Sequence, residues 1–236
     1  WFGFGSYSLS RMPNSKPSGH GDLQDNVLTK GYHELRSVWK QLKGQHKLRR
    51  FLSAFFCYNM GVQTVMLVAA IYGKSELQIP TPNLIGAILI IQLIAIPGAF
   101  TIARVSARMG NMKTLMVLVG FWCVGCVIGY KLPVGGINEF YGLAAFVGFM
   151  MGGIQSLSRS TYSKLMPDTK DTASYFSFYD VTEKIATVIG MFGFGYITEL
   201  TGSQRGSVLA LMVFFVLGFF LLIFTQAEKR EAHAVV

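Results

Sequence analysis

Three ionisable residues, Asp180, Glu183 and Lys184, stand close together in an otherwise apolar stretch between Tyr175 and Ile197. A charge at the centre of a bilayer costs about 2.5–3.5 kcal/mol on insertion scales, so such groups face a bundle interior or a wet cavity. Lys184 follows Asp180 by four residues, which on a helix puts both on one face and lets them pair. Glu183 follows Asp180 by three and takes the adjoining flank. Protonation coupled to solute movement is the chemistry open to this trio. The plainer alternative is an ion pair joining two helices, which leaves the third charge unexplained. In another apolar run, Asn59 and Gln63 lie one turn apart and form a polar stripe. Their amides offer hydrogen bonds to a solute or to a neighbouring helix, and the spacing does not choose between the two. Gln92 and Gln155 are lone amides that suit a helix-to-helix bond, with Gln155 also placed to line a solute path.

Other chemistries are poorly served. Cys57, Cys123 and Cys126 all fall in apolar runs, and an odd number there argues against a disulfide framework. Cys123-x-x-Cys126 has metal or redox spacing, but no second Cys pair or His accompanies it. The four histidines lie outside the apolar runs, so no metal and no cofactor is expected. Arg159, flanked by Ser158 and Ser160, sits in no nucleophile setting, and no glycine loop cradles phosphate. Arg159 instead reads as a gating or anchoring residue at a helix end, and an enzyme is the least favoured class.

These groups need apolar elements to hold them. Hydrophobic residues make up 51% of the 236 and charged residues 14%, against about a quarter charged in ordinary globular domains. Crossing about 30 Å of hydrocarbon takes roughly 20 apolar residues in a helix. Six segments qualify: about Phe51–Tyr72, Asn83–Ala103, Thr114–Tyr130, Glu139–Leu157, Tyr175–Ile197 and Ser207–Thr225. They lack the alternation of a barrel strand, which leaves an all-α integral membrane protein of six transmembrane helices. Lys74, Lys131 and Arg205 flank the spans on one side and Lys184 lies within one; the rest of the 21 Lys and Arg fall on the other side. That asymmetry places both termini in the cytoplasm. It also accounts for the net charge of +9 without nucleic acid.

The domain plan follows. Residues 1–50 form a basic cytoplasmic loop, 51–226 the six-helix bundle and 227–236 a cytoplasmic tail. Within the loop, residues 1–5 suit the end of a preceding helix or a short apolar patch. Residues 6–35 read as flexible chain. Residues 32–48 carry Leu35, Val38, Trp39 and Leu42 at helical spacing. They suit either a helix on the membrane surface or a charged extension of the first span. Opening on Trp1, and with no signal-peptide pattern, the chain is expected to continue from an upstream segment. In the fourth span, Gly148-x-x-x-Gly152 gives a small face for close helix approach.

Tyr58-Asn59-Met60-Gly61-Val62-Gln63-Thr64, with Ala69-Ala70-Ile71-Tyr72-Gly73, resembles the seventh helix of a branch of the major facilitator superfamily. That branch is the vacuole-effluxer-like family, related to the autophagy-linked vacuolar amino-acid effluxers. Gly152-Gly153-Ile154-Gln155-Ser156-Leu157-Ser158-Arg159-Ser160, running on to Met166-Pro167, is similar to its tenth-helix signature and is the most specific match. Phe176-Ser177-Phe178-Tyr179 and Leu200-Thr201-Gly202-Ser203-Gln204-Arg205 resemble its eleventh helix and the loop beyond. The resemblance covers about residues 48–226. It implies half of a twelve-helix fold, namely the C-terminal six helices of a transporter, with a missing N-terminal six-helix half as partner. Gly98 to Gly110 then resembles the cytoplasmic gating motif. Arg104 and Arg108 keep its basic part, while Ala107 stands where an Asp usually precedes the Arg. Met60 occupies a position that is often Asp in the family. Glu183 replaces a small residue, and Lys184 matches.

The expected function is secondary transport of a small solute by alternating access, an amino acid if the resemblance carries the substrate class. Asn59, Gln63 and Gln155 would line the path. Asp180, Glu183 and Lys184 would couple it, and Arg104, Arg108 and Arg159 would gate it. The alternative is a non-transporting scaffold or remnant half, motivated by Met60 and Ala107. The expected surroundings are the lipid bilayer of a cell inner membrane, or a vacuolar membrane in a eukaryote.

Overall fold

The structure is a computed structural model and describes residues 6–7, 10–11, 27–169 and 171–234. The helix end considered for residues 1–5 lies outside the described residues. Seven long helices and no strand are present among the described residues. They are α1 (Val27–Leu42), α2 (His46–Ser75), α3 (Thr81–Met109), α4 (Asn111–Lys131), α5 (Ile137–Leu165), α6 (Thr172–Thr201) and α7 (Gln204–Ala234). The last six correspond to the six expected spans. Each runs past the apolar stretch that predicts it, because helical hydrogen bonding continues into the polar flanks until a cap or turn stops it. A 30-residue helix such as α2 or α6 reaches about 45 Å, enough for hydrocarbon and headgroups together. At the start of α6, Asp171 caps the helix by accepting from the Ser174 N–H. Gly202, at φ +66°, ends it in the left-handed region open to glycine.

α2, α3, α4, α5 and α7 are each long and apolar enough to cross a membrane. α6 is equally long, but Asp180, Glu183, Lys184 and Glu199 interrupt its apolar run. It nevertheless packs directly against α2 and α7. The chain is therefore a multi-pass membrane protein in which α6, carrying Asp180, Glu183 and Lys184, packs by one face on α2 and α7.

Glycines set the closest helix contacts. The Gly148-x-x-x-Gly152 face of α5 meets α3. Gly148 lies against the backbone of Ile91 and Gly152 against that of Ala95, while Gly98 of α3 lies against Phe149. A Cβ at Gly148 would come within 2.6 Å of the Ile91 carbonyl oxygen. A second seam joins α2 to α6 where Gly190 meets the Met60 carbonyl. A third joins α2 to α7, with Gly61 under the Phe215 ring and Gly218 against Tyr58. Close approach of this kind lets dispersion hold helices that gain little from burial in lipid.

At the far end from α1, Glu76 ties α2 to α7. Its carboxylate accepts from the Gln204 N–H (2.6 Å) and the Ser203 hydroxyl (3.2 Å). Arg205 in turn donates to the carbonyl of Leu132 (3.0 Å), beyond the end of α4.

α1 differs from expectation in both limits. It begins at Val27, inside the stretch read as loop, and a turn at residues 43–45 separates it from α2. Val38 and Leu42 are buried, and Tyr175 of α6 donates to the Gln41 side chain (2.8 Å). Docking on α6 therefore makes this stretch a helix of its own rather than an extension of the first span.

Candidate functional site

α2, α5 and α6 enclose a cavity of about 320 Å³. Helical periodicity delivers its lining: Tyr58, Asn59 and Gln63 from α2, Gln155 and Arg159 from α5, and Tyr179 and Glu183 from α6. Asn59 and Gln63, Gln155 and Arg159, and Tyr179 and Glu183 are each four residues apart, with Tyr58 beside Asn59, so each helix presents one polar face inward.

Hydrogen bonds cross the cavity in two places. Gln63 Nε2 donates to Glu183 Oε1 (2.8 Å), and the hydroxyls of Tyr58 and Ser158 lie 2.7 Å apart. Arg159 Nη2 donates to Asp180 Oδ1 (2.7 Å), and its guanidinium sits 5.5 Å above the centre of the Tyr179 ring. A guanidinium over an aromatic face adds a cation–π attraction to the charge-assisted bond. Tyr179 is itself held by Phe55, stacked at 4.3 Å, and by Tyr162 at 5.0 Å. Lys184 Nζ lies 3.8 Å from Glu183 Oε1. Among these groups Asn59 is singular. It is only 5% exposed, lines the cavity, and its Nδ2 has no hydrogen-bond partner among the described residues. A buried amide donor left unpaired costs about 1–3 kcal/mol, which a ligand acceptor would recover.

The family model described as "Vacuole effluxer Atg22 like" matches residues 1–235. The chain belongs to this family. Among its relatives, an uncharacterized MFS-type transporter of Bacillus subtilis (strain 168), YxiO, is 28% identical over 205 residues. That match takes in 87% of this chain and 47% of the relative. Autophagy-related protein 22 of Cryptococcus neoformans var. neoformans serotype D (strain B-3501A) is 30% identical over 241 residues, 95% of this chain and 44% of the relative. Among solved structures, a bacterial homologue of the iron transporter ferroportin in an outward-facing state shares the fold. Its TM-score is 0.62 at 14% identity, covering 79% of this chain and 47% of that one. The chain spans about half the length of the curated relatives it matches. Its fold is thus the all-α, major facilitator type that the tenth-helix signature implied.

Several residues sit differently from their sequence reading. The expected pair of Asp180 with Lys184 does not form. Asp180 reaches across to Arg159, whose planar guanidinium Tyr179 already positions, and Lys184 lies nearest Glu183. Arg159, grouped in the sequence with Arg104 and Arg108 as a gating residue, lines the cavity, while Arg104 and Arg108 are exposed on α3 and are not in its lining. Gln92 and Gln155 make no side-chain hydrogen bond to another helix among the described residues. Gln155 lines the cavity, and Gln92 is exposed away from it.

Sequence reasoning missed Tyr179 and Asn111. Tyr179 precedes Glu183 by four residues, which already put it on the same face. Asn111 gave no signal. It accepts from Ser106 (2.9 Å) and Lys164 (3.1 Å) and donates to Thr161 (3.2 Å), binding the α3–α4 joint to the end of α5. It does so beside Ala107, where the gating motif lacks its acid.

Proposed function

We propose that the chain is the C-terminal half of an alternating-access carrier that binds a small polar solute in the cavity between α2, α5 and α6. The observation that carries this reading is the convergence of Asn59, Gln63, Arg159 and Glu183 on one space, with the Asn59 Nδ2 buried and unpaired in its wall. Asn59 donates to an acceptor oxygen of the solute. Gln155 and Arg159 contribute further donors, and Glu183 accepts. In keeping with the vacuolar amino-acid effluxers that the tenth-helix signature resembles, the solute is an amino acid. Alternating access then rocks this half against an N-terminal half, with both termini on the cytoplasmic side.

Coupling falls to Glu183. The charged and titratable groups around it are Asp180 and Lys184 on its own helix, Arg159 on α5, and the phenols of Tyr58 and Tyr179. The test is uptake of a panel of radiolabelled amino acids by vesicles holding the full natural protein. Asn59→Leu should raise KM at least tenfold, the equivalent of losing about 1.4 kcal/mol of binding. Glu183→Gln should flatten the pH dependence of uptake. Normal KM and pH profile in both well-folded variants would remove the cavity from transport.

A further inference from the structure

We propose that the groove between α1, α2 and α6 is a binding site for one anionic phospholipid. It lies on the other side of α2 and α6 from the solute cavity and has a volume of about 570 Å³. Its walls are mostly apolar, with Leu42 from α1, Leu52 and Phe56 from α2, and Phe178, Val181 and Ile185 from α6. The hydroxyls along it are already occupied. Ser53 donates to the Arg49 carbonyl and Thr182 to the Phe178 carbonyl. Arg49 is therefore the polar group the groove offers to a ligand, and its guanidinium contacts the His46 ring (3.3 Å) with no acid beside it among the described residues.

Charge decides the kind of occupant. Arg36, Lys40, Lys43, Lys47, Arg49 and Arg50 crowd α1 and the start of α2, and Glu34 is the one acid between residues 27 and 75. A cluster of four to eight basic residues beside a span attracts anionic lipid. An acyl chain has no polar atom to satisfy, so it suits walls whose hydroxyls are spent. A phosphate suits the Arg49 fork. An apolar helix laid in the same groove would bury Arg49 with no counter-charge, which is costly. The lipid would bridge α1 to the bundle, adding to the contact that Val38 and Leu42 make. It would also press on Phe178, the neighbour of Tyr179 in the solute cavity.

Trp39 stands on the groove wall, 6.0 Å from Phe178 ring to ring, and reports occupancy. The full natural protein is placed in phosphatidylcholine vesicles carrying a small share of acyl-brominated lipid. The brominated lipid is either phosphatidylglycerol or phosphatidylcholine. The Trp39 signal is taken as the difference between the wild type and Trp39→Phe. Brominated phosphatidylglycerol should quench it at lower mole fraction than brominated phosphatidylcholine. Arg49→Gln removes the groove's own phosphate fork and should reduce that preference about fivefold, the equivalent of about 1 kcal/mol, while Arg36→Gln, outside the groove lining, should reduce it distinctly less. Ile185→Phe, which narrows the groove, should weaken quenching by both lipids. Equal quenching by the two lipids would mean ordinary boundary lipid and would overturn the proposal. Absence of quenching by either would mean that protein fills the groove, which overturns it as well. Equal effects of Arg49→Gln and Arg36→Gln would reduce the site to diffuse surface charge.

Discussion

Gly152 gives the sharpest test of how the bundle is held. Alanine there would carry its Cβ into the backbone of Ala95 on α3, 2.8 Å from the carbonyl carbon and 3.0 Å from Cα, with the carbonyl oxygen nearer still. Backbone cannot rotate away as a side chain can, so α5 must shift outward along its whole contact with α3. Overpacking a close-packed interface costs about 1–3 kcal/mol, and a backbone-to-backbone clash belongs at the upper end. Gly→Ala in a helix returns up to about 1 kcal/mol of propensity. The net loss is about 2 kcal/mol, which for a chain of this length lowers Tm by about 4–8 °C. Gly120→Ala is the matched control, because nothing lies within 4 Å of a Cβ added there. It should leave Tm unchanged or raise it. Thermal unfolding of the detergent-solubilised protein, followed by a thiol-reactive dye on the free cysteines, measures both. If Gly152→Ala and Gly120→Ala unfold within about 1 °C of each other, the α3–α5 seam is not packed as described.

Two further tests concern side-chain ties. Glu76→Ala removes an acceptor shared by the Gln204 N–H and the Ser203 hydroxyl, and should cost about 1–3 kcal/mol in unfolding free energy; the neighbouring Lys74→Ala, on an exposed side chain, should cost less than about 0.5 kcal/mol. Tyr58→Phe leaves the Ser158 hydroxyl buried and unpaired and should cost about 1–3 kcal/mol. The double variant with Ser158→Ala should recover part of that loss, and strict additivity of the two losses would show the 2.7 Å bond contributes nothing.

The spans were legible because about 20 apolar residues in a row leave a membrane helix as the economical reading, and even α6 declared itself through Val188, Ile189, Phe192 and Phe194. The polar face of α2 was legible too, since Asn59 and Gln63 repeat at one turn. Partner choice was not. Local spacing paired Asp180 with Lys184, whereas the fold brings Arg159 from another helix, and no i, i+4 rule sees across a cavity. The extent of α1 was equally hidden: the polar residues ahead of Leu35 look like loop until α6 supplies a surface for Val38 and Leu42 to bury against. Asn111 gave no signal in the sequence, because its worth lies in Ser106, Thr161 and Lys164 converging from two other helices.

The glycine seams have a mechanical consequence. α3 is fastened to α5, and α2 to α6 and α7, through contacts in which backbone touches backbone or ring, and these have no slack. Between the two leaves, around the cavity, the fastenings are side chains: a phenol to a hydroxyl, and a guanidinium to a carboxylate. In the latter the side chains are 54% and 52% exposed. Such a half-exposed ion pair holds with no more than about 1 kcal/mol and exchanges readily with water. α4 packs against both α5 and α7 and carries one apolar core through the two leaves, so they are clamped on that side, while along the wall that a solute would touch the Arg159–Asp180 tie is the loose stitch. A ligand drawing Arg159 from Asp180 would open that stitch, and the cavity wall would part there first, about the clamped side as a hinge.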